Sequence, residues 1–170
     1  MFDAALLDQA RDVLDRARAK NIRIVTAESC TGGLIAGLLT EIPGSSDVVE
    51  RGFVTYSNEA KEESLGVPSA LLRKYGAVSD QVACAMADGA LRHARAQLAI
   101  AVTGIAGPGG GSKQKPVGLV YFAAASRDGR RIARKRLYGK IGRRRVRLRS
   151  VAEALALLQQ LAGKTRLKGS

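Results

Sequence analysis

The 170-residue chain contains no tryptophan, one histidine and two cysteines, and aromatic side chains make up only 4% of it. The two cysteines, Cys30 and Cys84, lie in dissimilar contexts and indicate neither a disulfide framework nor a zinc site. No apolar run approaches the ~20 residues needed to cross a bilayer. The first residues lack the basic and then apolar order of a secretory signal. These absences favour a cytoplasmic protein, without a membrane partner, that has an aliphatic core.

The length predicts one domain, because 170 residues can bury one good core but are few for two. We expect this domain to span residues 1–163. Residues 164–170 carry Lys164, Arg166 and Lys168, and we expect them to form a disordered basic tail.

Positive charge is abundant and unevenly placed. The net charge is +13, and the segment from Arg127 to Arg149 holds 12 lysines or arginines against one acid, Asp128. Such a block can attract nucleic acid, or it can bind a phosphorylated small substrate through one or two arginines. We prefer the second interpretation, because the block lacks the series of interleaved aromatic residues that a stacking platform needs.

Helical and strand patterns alternate along the chain. Helices are predicted near residues 4–20, 34–39, 58–66, 69–75, 79–97 and 142–161, and strands near 22–25, 51–56, 98–103, 117–126 and 131–137. The segment Arg127-Asp128-Gly129 predicts a hairpin between the last two strands. This order predicts an α/β fold, a three-layer α/β/α sandwich with a mixed, mostly parallel sheet.

The segment Thr26 to Ala36, TAESCTGGLIA, joins the first predicted strand to a helix of small residues. Unpaired N–H groups at the start of a helix can meet a developing oxyanion or a phosphate. We therefore expect the N–H groups beside Gly32 and Gly33 to form an oxyanion site. An N-cap and a close helix–sheet contact would explain the same residues equally well.

A hydrolase built on Ser29 needs a base, and the one histidine is badly placed to serve. His93 falls inside the predicted helix 79–97, in step with apolar neighbours. Lys61 follows the second strand as Ser29 follows the first, and a lysine of lowered pKa can activate a serine. Tyr56 could relay a proton or hold this lysine. Alternatively, Lys61 is a solvated residue among three glutamates, and Cys30 is either the nucleophile or a packing residue.

A glycine-rich loop, Thr103 to Ser112, follows the third strand at the same expected sheet edge. Its backbone N–H groups could approach an anion closely. The loop lacks the Lys-Ser/Thr ending of a P-loop, so the sequence does not support nucleoside triphosphate chemistry.

Four ordered motifs together resemble the CinA C-terminal domain family, whose stand-alone members are nicotinamide-nucleotide amidases. They are TAESCTGG (26–33), GSSDVVERGFVTYSNEAKEESLGV (44–67), GAVSDQVACAMADGAL (76–91) and TGIAGPGGGSKQKPVGLVYFA (103–123). The resemblance covers roughly residues 5 to 162. It implies a three-layer α/β/α domain that hydrolyses the carboxamide of nicotinamide mononucleotide to nicotinic acid mononucleotide and ammonia.

The resemblance also implies roles for individual residues. Ser29 corresponds to the nucleophile, Lys61 to its general base and Tyr56 to a helper, and Glu28 and Asn58 fall in matching motifs as organisers. The other expected substrate-binding residues are Cys30, Thr31, Gly32, Gly33, Thr103, Gly104, Ile105, Ala106, Gly107, Arg143 and Arg144. No metal or cofactor is implied, and the family favours a homo-oligomer.

Two positions depart from the family pattern. Gly109 stands where the family usually has an acidic residue, and the Gly-Asp-Arg turn that usually opens the last helix is replaced by the segment Gly139 to Arg147, which has no aspartate. These departures leave the arginine that binds phosphate unassigned. They also motivate an alternative, a non-catalytic protein that binds nucleotides or nucleic acid through its basic block.

Overall fold

A computed structural model describes residues 2–163. Its single sheet has five strands, β1 (Ile24–Glu28), β2 (Val49–Val54), β3 (Leu98–Gly104), β4 (Leu119–Ser126) and β5 (Arg131–Leu137). The strands lie in the order β2-β1-β3-β4-β5. The first three are parallel, and the last two form an antiparallel hairpin that pairs with β3. The predicted mixed sheet is therefore confirmed. The expected tail, residues 164–170, lies outside the described residues.

Six helices cover both faces of this sheet: α1 (Ala4–Arg18), α2 (Leu34–Thr40), α3 (Asn58–Leu65), α4 (Ser69–Tyr75), α5 (Asp80–Arg92) and α6 (Arg143–Gly163). Residues of α1, α2 and α6 form one core with Leu98, Ile100 and Phe122 of the sheet. Residues of α3, α4 and α5 form a second core on the opposite face. The fold is thus the three-layer α/β/α sandwich that the sequence predicts.

The sheet face beneath α5 is lined by small side chains, the alanines Ala27, Ala99, Ala101, Ala123 and Ala125. Gly89 of α5 brings α3 equally close, because a Cβ atom at Gly89 would lie 2.0 Å from the carbonyl oxygen of Leu65. Small residues thus let α5 lie low on the sheet and dock α3 beside it. This packing places the helix that carries Lys61 at the edge where β1, β2 and β3 end.

Three sequence-based boundaries were wrong. The second strand, predicted near residues 51–56, spans Val49–Val54, so Tyr56 lies beyond its end. The first strand begins at Ile24 and continues through Glu28, so Glu28 belongs to the sheet and not to the turn after it. The fifth helix ends at Arg92, and His93 caps its C-terminus instead of lying inside it. The guanidinium group of Arg127 donates to the carbonyl oxygens of Leu91, in the last turn of this helix, and of Ala94 and Ala96, just beyond it. That contact is a tertiary one that the local pattern does not contain.

Residues 2–163 include no helix that is both long enough and apolar enough to cross a bilayer. The described part of the chain also has no group of three or more His, Cys, Asp or Glu side chains that could hold a metal ion.

Candidate active site

A cavity of about 280 Å³ opens where the carboxyl ends of the parallel strands β1, β2 and β3 meet. The residues that the sequence predicted and that line it are Ser29, Cys30, Tyr56, Asn58, Lys61, Thr103, Gly104, Ile105, Ala106, Gly107 and Arg143. Further lining residues are Ala77, Val78, Gly109 and Gly110. This lining includes Lys61 and Arg143 and, among residues 2–163, no Asp or Glu. The cavity therefore suits an anionic ligand.

Sequence reasoning gave no binding role to Ala77 and Val78, although both lie in a motif that carries the family resemblance. Thr103 fixes their position, because its hydroxyl donates to the carbonyl oxygen of Ala77 at 2.8 Å. Both residues lie in the segment GAVSDQ (76–81), which leads into α5. Its place in a motif that carries the family resemblance is the sequence feature that could have identified them.

Ser29 lies directly after β1 at the floor of the cavity. Its backbone N–H donates to the carbonyl oxygen of Val102 at 3.0 Å, which extends the β1–β3 pairing by one residue. Its own carbonyl oxygen accepts from the N–H of Gly32 at 3.0 Å and closes a tight turn. Gly32 has a φ of 60°, in the region where glycine is favoured. The turn thus holds the hydroxyl of Ser29 against the lysine of α3.

Lys61 is buried, with only 1% of its surface exposed. Its Nζ atom lies 3.2 Å from Oγ of Ser29, 2.7 Å from the carbonyl oxygen of Thr55 and 3.3 Å from that of Ser57. A neutral amine has two N–H donors for the two carbonyl groups and a lone pair that can accept the serine proton. The contacts therefore fit a general base, and they overturn the alternative of a solvated lysine.

Burial lowers the pKa of Lys61, because desolvation disfavours its charged form. No carboxylate among residues 2–163 forms a salt bridge with it. The charged form is thus left without an ionic partner in the described structure. This environment favours the neutral amine, the form that can accept a proton.

Cys30 is a poor candidate for the nucleophile. Burial raises the pKa of its thiol to about 12, so the thiolate is scarce at neutral pH. The side chain is 5% exposed and packs in the core shared by α1, α2 and α6. The geometry favours Ser29 over the alternative of Cys30.

Glu28 occupies the helix start that was expected to form the oxyanion site. Its buried carboxylate accepts from the N–H groups of Gly33, Ile35 and Ala36 at 3.1, 3.1 and 2.9 Å. The N–H of Leu34 is also used, because it donates to Thr31. The expectation of an oxyanion site beside Gly32 and Gly33 was therefore wrong: these N–H groups serve to hold α2 against β1.

Two earlier N–H groups in the turn follow Ser29 directly. Neither the N–H of Cys30 nor that of Thr31 donates to another residue in the described range 2–163. They lie where an acyl-transfer enzyme places its oxyanion donors. These two groups are the better candidates for the site that meets an oxyanion.

Tyr56 does not hold the catalytic lysine. Its hydroxyl accepts a hydrogen bond from Nη2 of Arg143 at 2.8 Å, and Nη1 of the same arginine donates to the carbonyl oxygen of Gly107 at 2.9 Å. Of the two roles that the sequence suggested for Tyr56, relaying a proton or holding Lys61, the second does not hold, because the backbone carbonyls of Thr55 and Ser57 hold Lys61. Asn58, at the start of α3, lines the same mouth of the cavity.

Arg143 and Arg144 take different positions, although they are neighbours in sequence. Arg143 lines the cavity of Ser29 and Lys61 and also borders a second cavity, which Phe2, Leu34 and Leu148 line as well, whereas Arg144 lines only the second of these two cavities. Thr31, Gly32 and Gly33 form part of the turn after Ser29 and do not line this cavity. The structure thus distinguishes one arginine of the pair as the cation near the site.

The sequence profile of the CinA C-terminal domain matches residues 7–162. The chain is also 47% identical over 160 residues to the nicotinamide-nucleotide amidohydrolase PncC of Escherichia coli, across 94% of this chain and 96% of PncC. The chain belongs to the CinA C-terminal domain family.

Other CinA-type proteins are similar in sequence and in structure. The competence/damage inducible protein CihA from Agrobacterium tumefaciens superposes with a TM-score of 0.93 at 52% identity, covering 95% of this chain and 98% of that one. A CinA-like protein of Mycobacterium marinum is 53% identical over 153 residues, which is 89% of this chain and 35% of that protein. The chain therefore spans about a third of the length of such longer relatives.

The position at which this CinA-type domain lacks the usual acidic residue lies at the cavity. Gly109 is a lining residue, and a Cβ atom there would have no heavy atom within 4 Å. A side chain at this position would therefore fit in the wall without altering the packing around it.

Most of the basic block of this CinA-type domain has internal partners. Arg131 pairs with Asp88, and both Arg134 and Arg136 pair with Glu153. Arg127 and Arg147 bind backbone carbonyl groups. Fewer charges are therefore available to a polyanion than the sequence count suggests.

Proposed function

We propose that the protein is an amidohydrolase that converts nicotinamide mononucleotide to nicotinic acid mononucleotide and ammonia. The contact between Nζ of Lys61 and Oγ of Ser29, 3.2 Å long and buried, carries the proposal. The 47% identity to PncC of E. coli over nearly the full length of both chains supports the choice of substrate.

In the acylation half of the reaction, Ser29 attacks the carboxamide carbon while its hydroxyl proton moves to the neutral amine of Lys61. The carbonyl oxygen becomes an oxyanion and accepts from the N–H groups of Cys30 and Thr31. The Lys61 ammonium then returns the proton to the amide nitrogen. The C–N bond breaks, and ammonia leaves an acyl-enzyme on Ser29.

In the deacylation half, water attacks the ester carbon and Lys61 takes one of its protons. Collapse of the second tetrahedral intermediate breaks the bond to Ser29 Oγ, which regains its proton from Lys61. The carboxylic acid product is released, and the net reaction consumes one water for each amide. The same two residues therefore serve both halves.

Arg143 is the residue that we assign to the substrate phosphate. Its guanidinium lies at the mouth of the cavity and is held by two neutral acceptors, the Tyr56 hydroxyl and the Gly107 carbonyl oxygen. A phosphate can replace these acceptors with stronger, charge-assisted hydrogen bonds. Tyr56 thus acts by orienting Arg143. Recycling of pyridine nucleotides, a cytoplasmic location and a homo-oligomeric state are further predictions of the family resemblance.

The experiment is a measurement of ammonia release from nicotinamide mononucleotide by the purified protein and its variants. Ser29→Ala and Lys61→Met should each lower kcat by at least about 100-fold, as expected for loss of a nucleophile or a general base. Ser46→Ala and Lys74→Met, at exposed positions on other elements, are the matched controls. Wild-type protein without turnover would refute the substrate, and normal turnover in either active-site variant would refute the mechanism.

A further inference from the structure

Arg147 binds the turn that follows Ser29 from the side opposite the catalytic lysine. Its Nε donates to the carbonyl oxygen of Cys30 at 3.1 Å, and its Nη2 donates to that of Thr31 at 2.9 Å. Arg147 does not line the cavity that holds Ser29 and Lys61. We propose that Arg147 is a positioning residue for the amidohydrolase reaction, which fixes and polarises the oxyanion-binding peptide groups after Ser29; this inference rests on the proposed function.

The direction of the N–H groups after Ser29 follows from the planarity of the peptide bond. In a trans peptide the C=O and the following N–H point in opposite directions. Because the carbonyl group of Cys30 is drawn toward Arg147, the N–H of Thr31 points away from it. Arg147 and Lys61 lie on α6 and α3, which cover opposite faces of the sheet. The N–H of Thr31 therefore points toward the layer that carries the base.

The second hydrogen bond of Arg147 locks the rest of the turn. It holds the carbonyl group of Thr31, whose peptide partner is the N–H of Gly32, and that N–H donates to Ser29. Gly32 leaves room for the guanidinium, because a Cβ atom at this position would lie 3.1 Å from Nη2 of Arg147. The turn and the arginine are thus fitted to each other.

The charge of Arg147 adds to this geometric effect. A carbonyl group that accepts from a cation makes the N–H of the same peptide group a stronger donor. No acidic side chain within residues 2–163 forms a salt bridge with Arg147. Its charge is therefore directed at the two carbonyl groups. It strengthens the N–H of Thr31 as a donor directly, and that of Cys30 only through the hydrogen bond from Gly32 to the carbonyl oxygen of Ser29.

The first test is the effect of Arg147 on the steady-state kinetics of ammonia release. Loss of one direct oxyanion donor costs ~100- to 1,000-fold in kcat, so Arg147→Met, which acts through the backbone, should cost about 10- to 100-fold. KM should stay within about twofold, because Arg147 does not reach the cavity. Arg147→Lys should recover part of kcat relative to Arg147→Met. An ammonium group can donate to a carbonyl oxygen, but it lacks the planar guanidinium that donates to two carbonyl groups at once.

The matched control is Arg149→Met, which removes the same charge from an exposed position two residues along α6. It should leave kcat and KM unchanged. The midpoint of the pH profile should stay in place in the Arg147 variants, because Lys61 keeps its contacts. An unchanged kcat in Arg147→Met, or a loss that lies entirely in KM, would overturn the proposal.

A second readout does not depend on turnover. The backbone amide resonances of Thr31 and Gly32 should shift in Arg147→Met and hold their wild-type positions in Arg149→Met. Unmoved resonances in Arg147→Met would overturn the proposal even if kcat fell. If wild-type protein released no ammonia, the proposed function would fail, and the resonances would still decide whether Arg147 sets the turn. Thermal unfolding of each variant establishes that it is folded.

Discussion

Replacing Glu28 with glutamine tests the idea that one buried carboxylate fastens the catalytic turn to the helix behind it. The carboxylate accepts three backbone hydrogen bonds, two through Oε2 from Gly33 and Ile35 and one through Oε1 from Ala36. A glutamine can keep its oxygen at the position that accepts two. Its NH₂ group must then face the N–H of Ala36, where two donors meet and neither is satisfied.

The expected cost follows from these three contacts. An N–H left without an acceptor costs ~1–3 kcal/mol, and hydrogen bonds to a charged group exceed neutral ones by about 1 kcal/mol each. The neutral amide offsets part of this, since it is easier to bury than a carboxylate. We expect Glu28→Gln to lower the free energy of unfolding by about 3 kcal/mol. For a domain of this size, the loss corresponds to a fall of roughly 6–12 °C in Tm.

Urea denaturation and calorimetry measure this loss, and ammonia release measures its effect on the turn. The control is Glu41→Gln, which removes the same charge from an exposed position at the opposite end of α2. We expect it to change stability by less than about 0.5 kcal/mol. A loss below about 1 kcal/mol in Glu28→Gln would refute the reasoning that this carboxylate anchors the turn.

Four further predictions concern the ionisable groups of the site. First, kcat/KM should rise with pH through a lysine pKa lower than 10.5, because Lys61 acts as the neutral amine and burial lowers its pKa; a flat profile would contradict this. Second, wild-type stability relative to Lys61→Met should increase with pH between that lowered pKa and 10.5, where only the unfolded lysine holds its proton; urea titrations at several pH values measure the trend. Third, Cys30 should resist iodoacetamide until the protein unfolds, since it is buried with a thiol pKa of about 12; substrate-protected inactivation at this thiol would contradict the choice of Ser29. Fourth, Arg143→Met should raise KM for nicotinamide mononucleotide by about 10- to 100-fold and leave the phosphate-free riboside unaffected; equal effects on both would exclude a phosphate contact.

The fold was largely predictable because its signals are local. Neighbouring residues encode several of these features: the caps of α3 at Ser57 and Gly66, the start of α5 at Ser79 and the hairpin at Arg127–Gly129. The boundaries that failed depend on distant partners. Thr26 to Glu28 contain polar residues and look like a junction, yet β2 and β3 flank them and extend β1. Arg127 binds the carbonyl groups of Leu91 and Ala94, at and just beyond the end of the helix before His93.

The candidate site likewise combines residue types that the sequence predicts with contacts that form only in the folded chain. The sequence itself determined which residue types could react, since it has one histidine, far from the predicted strand ends, and a serine and a lysine after two strands. The tertiary structure decided how they act. The backbone carbonyls of Thr55 and Ser57, and not a neighbouring side chain, fix the position of Lys61, and its burial in the folded chain lowers its pKa.

The arginines depended most on the tertiary structure. The sequence shows 12 cationic residues in one block and cannot rank them, because their contacts lie up to 117 positions away along the chain. In the folded chain, Arg143 lines the cavity and Arg147 binds the turn that follows Ser29. Arg134 and Arg136 form salt bridges with Glu153. Residue chemistry is thus determined by the sequence, whereas burial and long-range hydrogen bonds, which exist only in the folded chain, decide which charge serves which purpose.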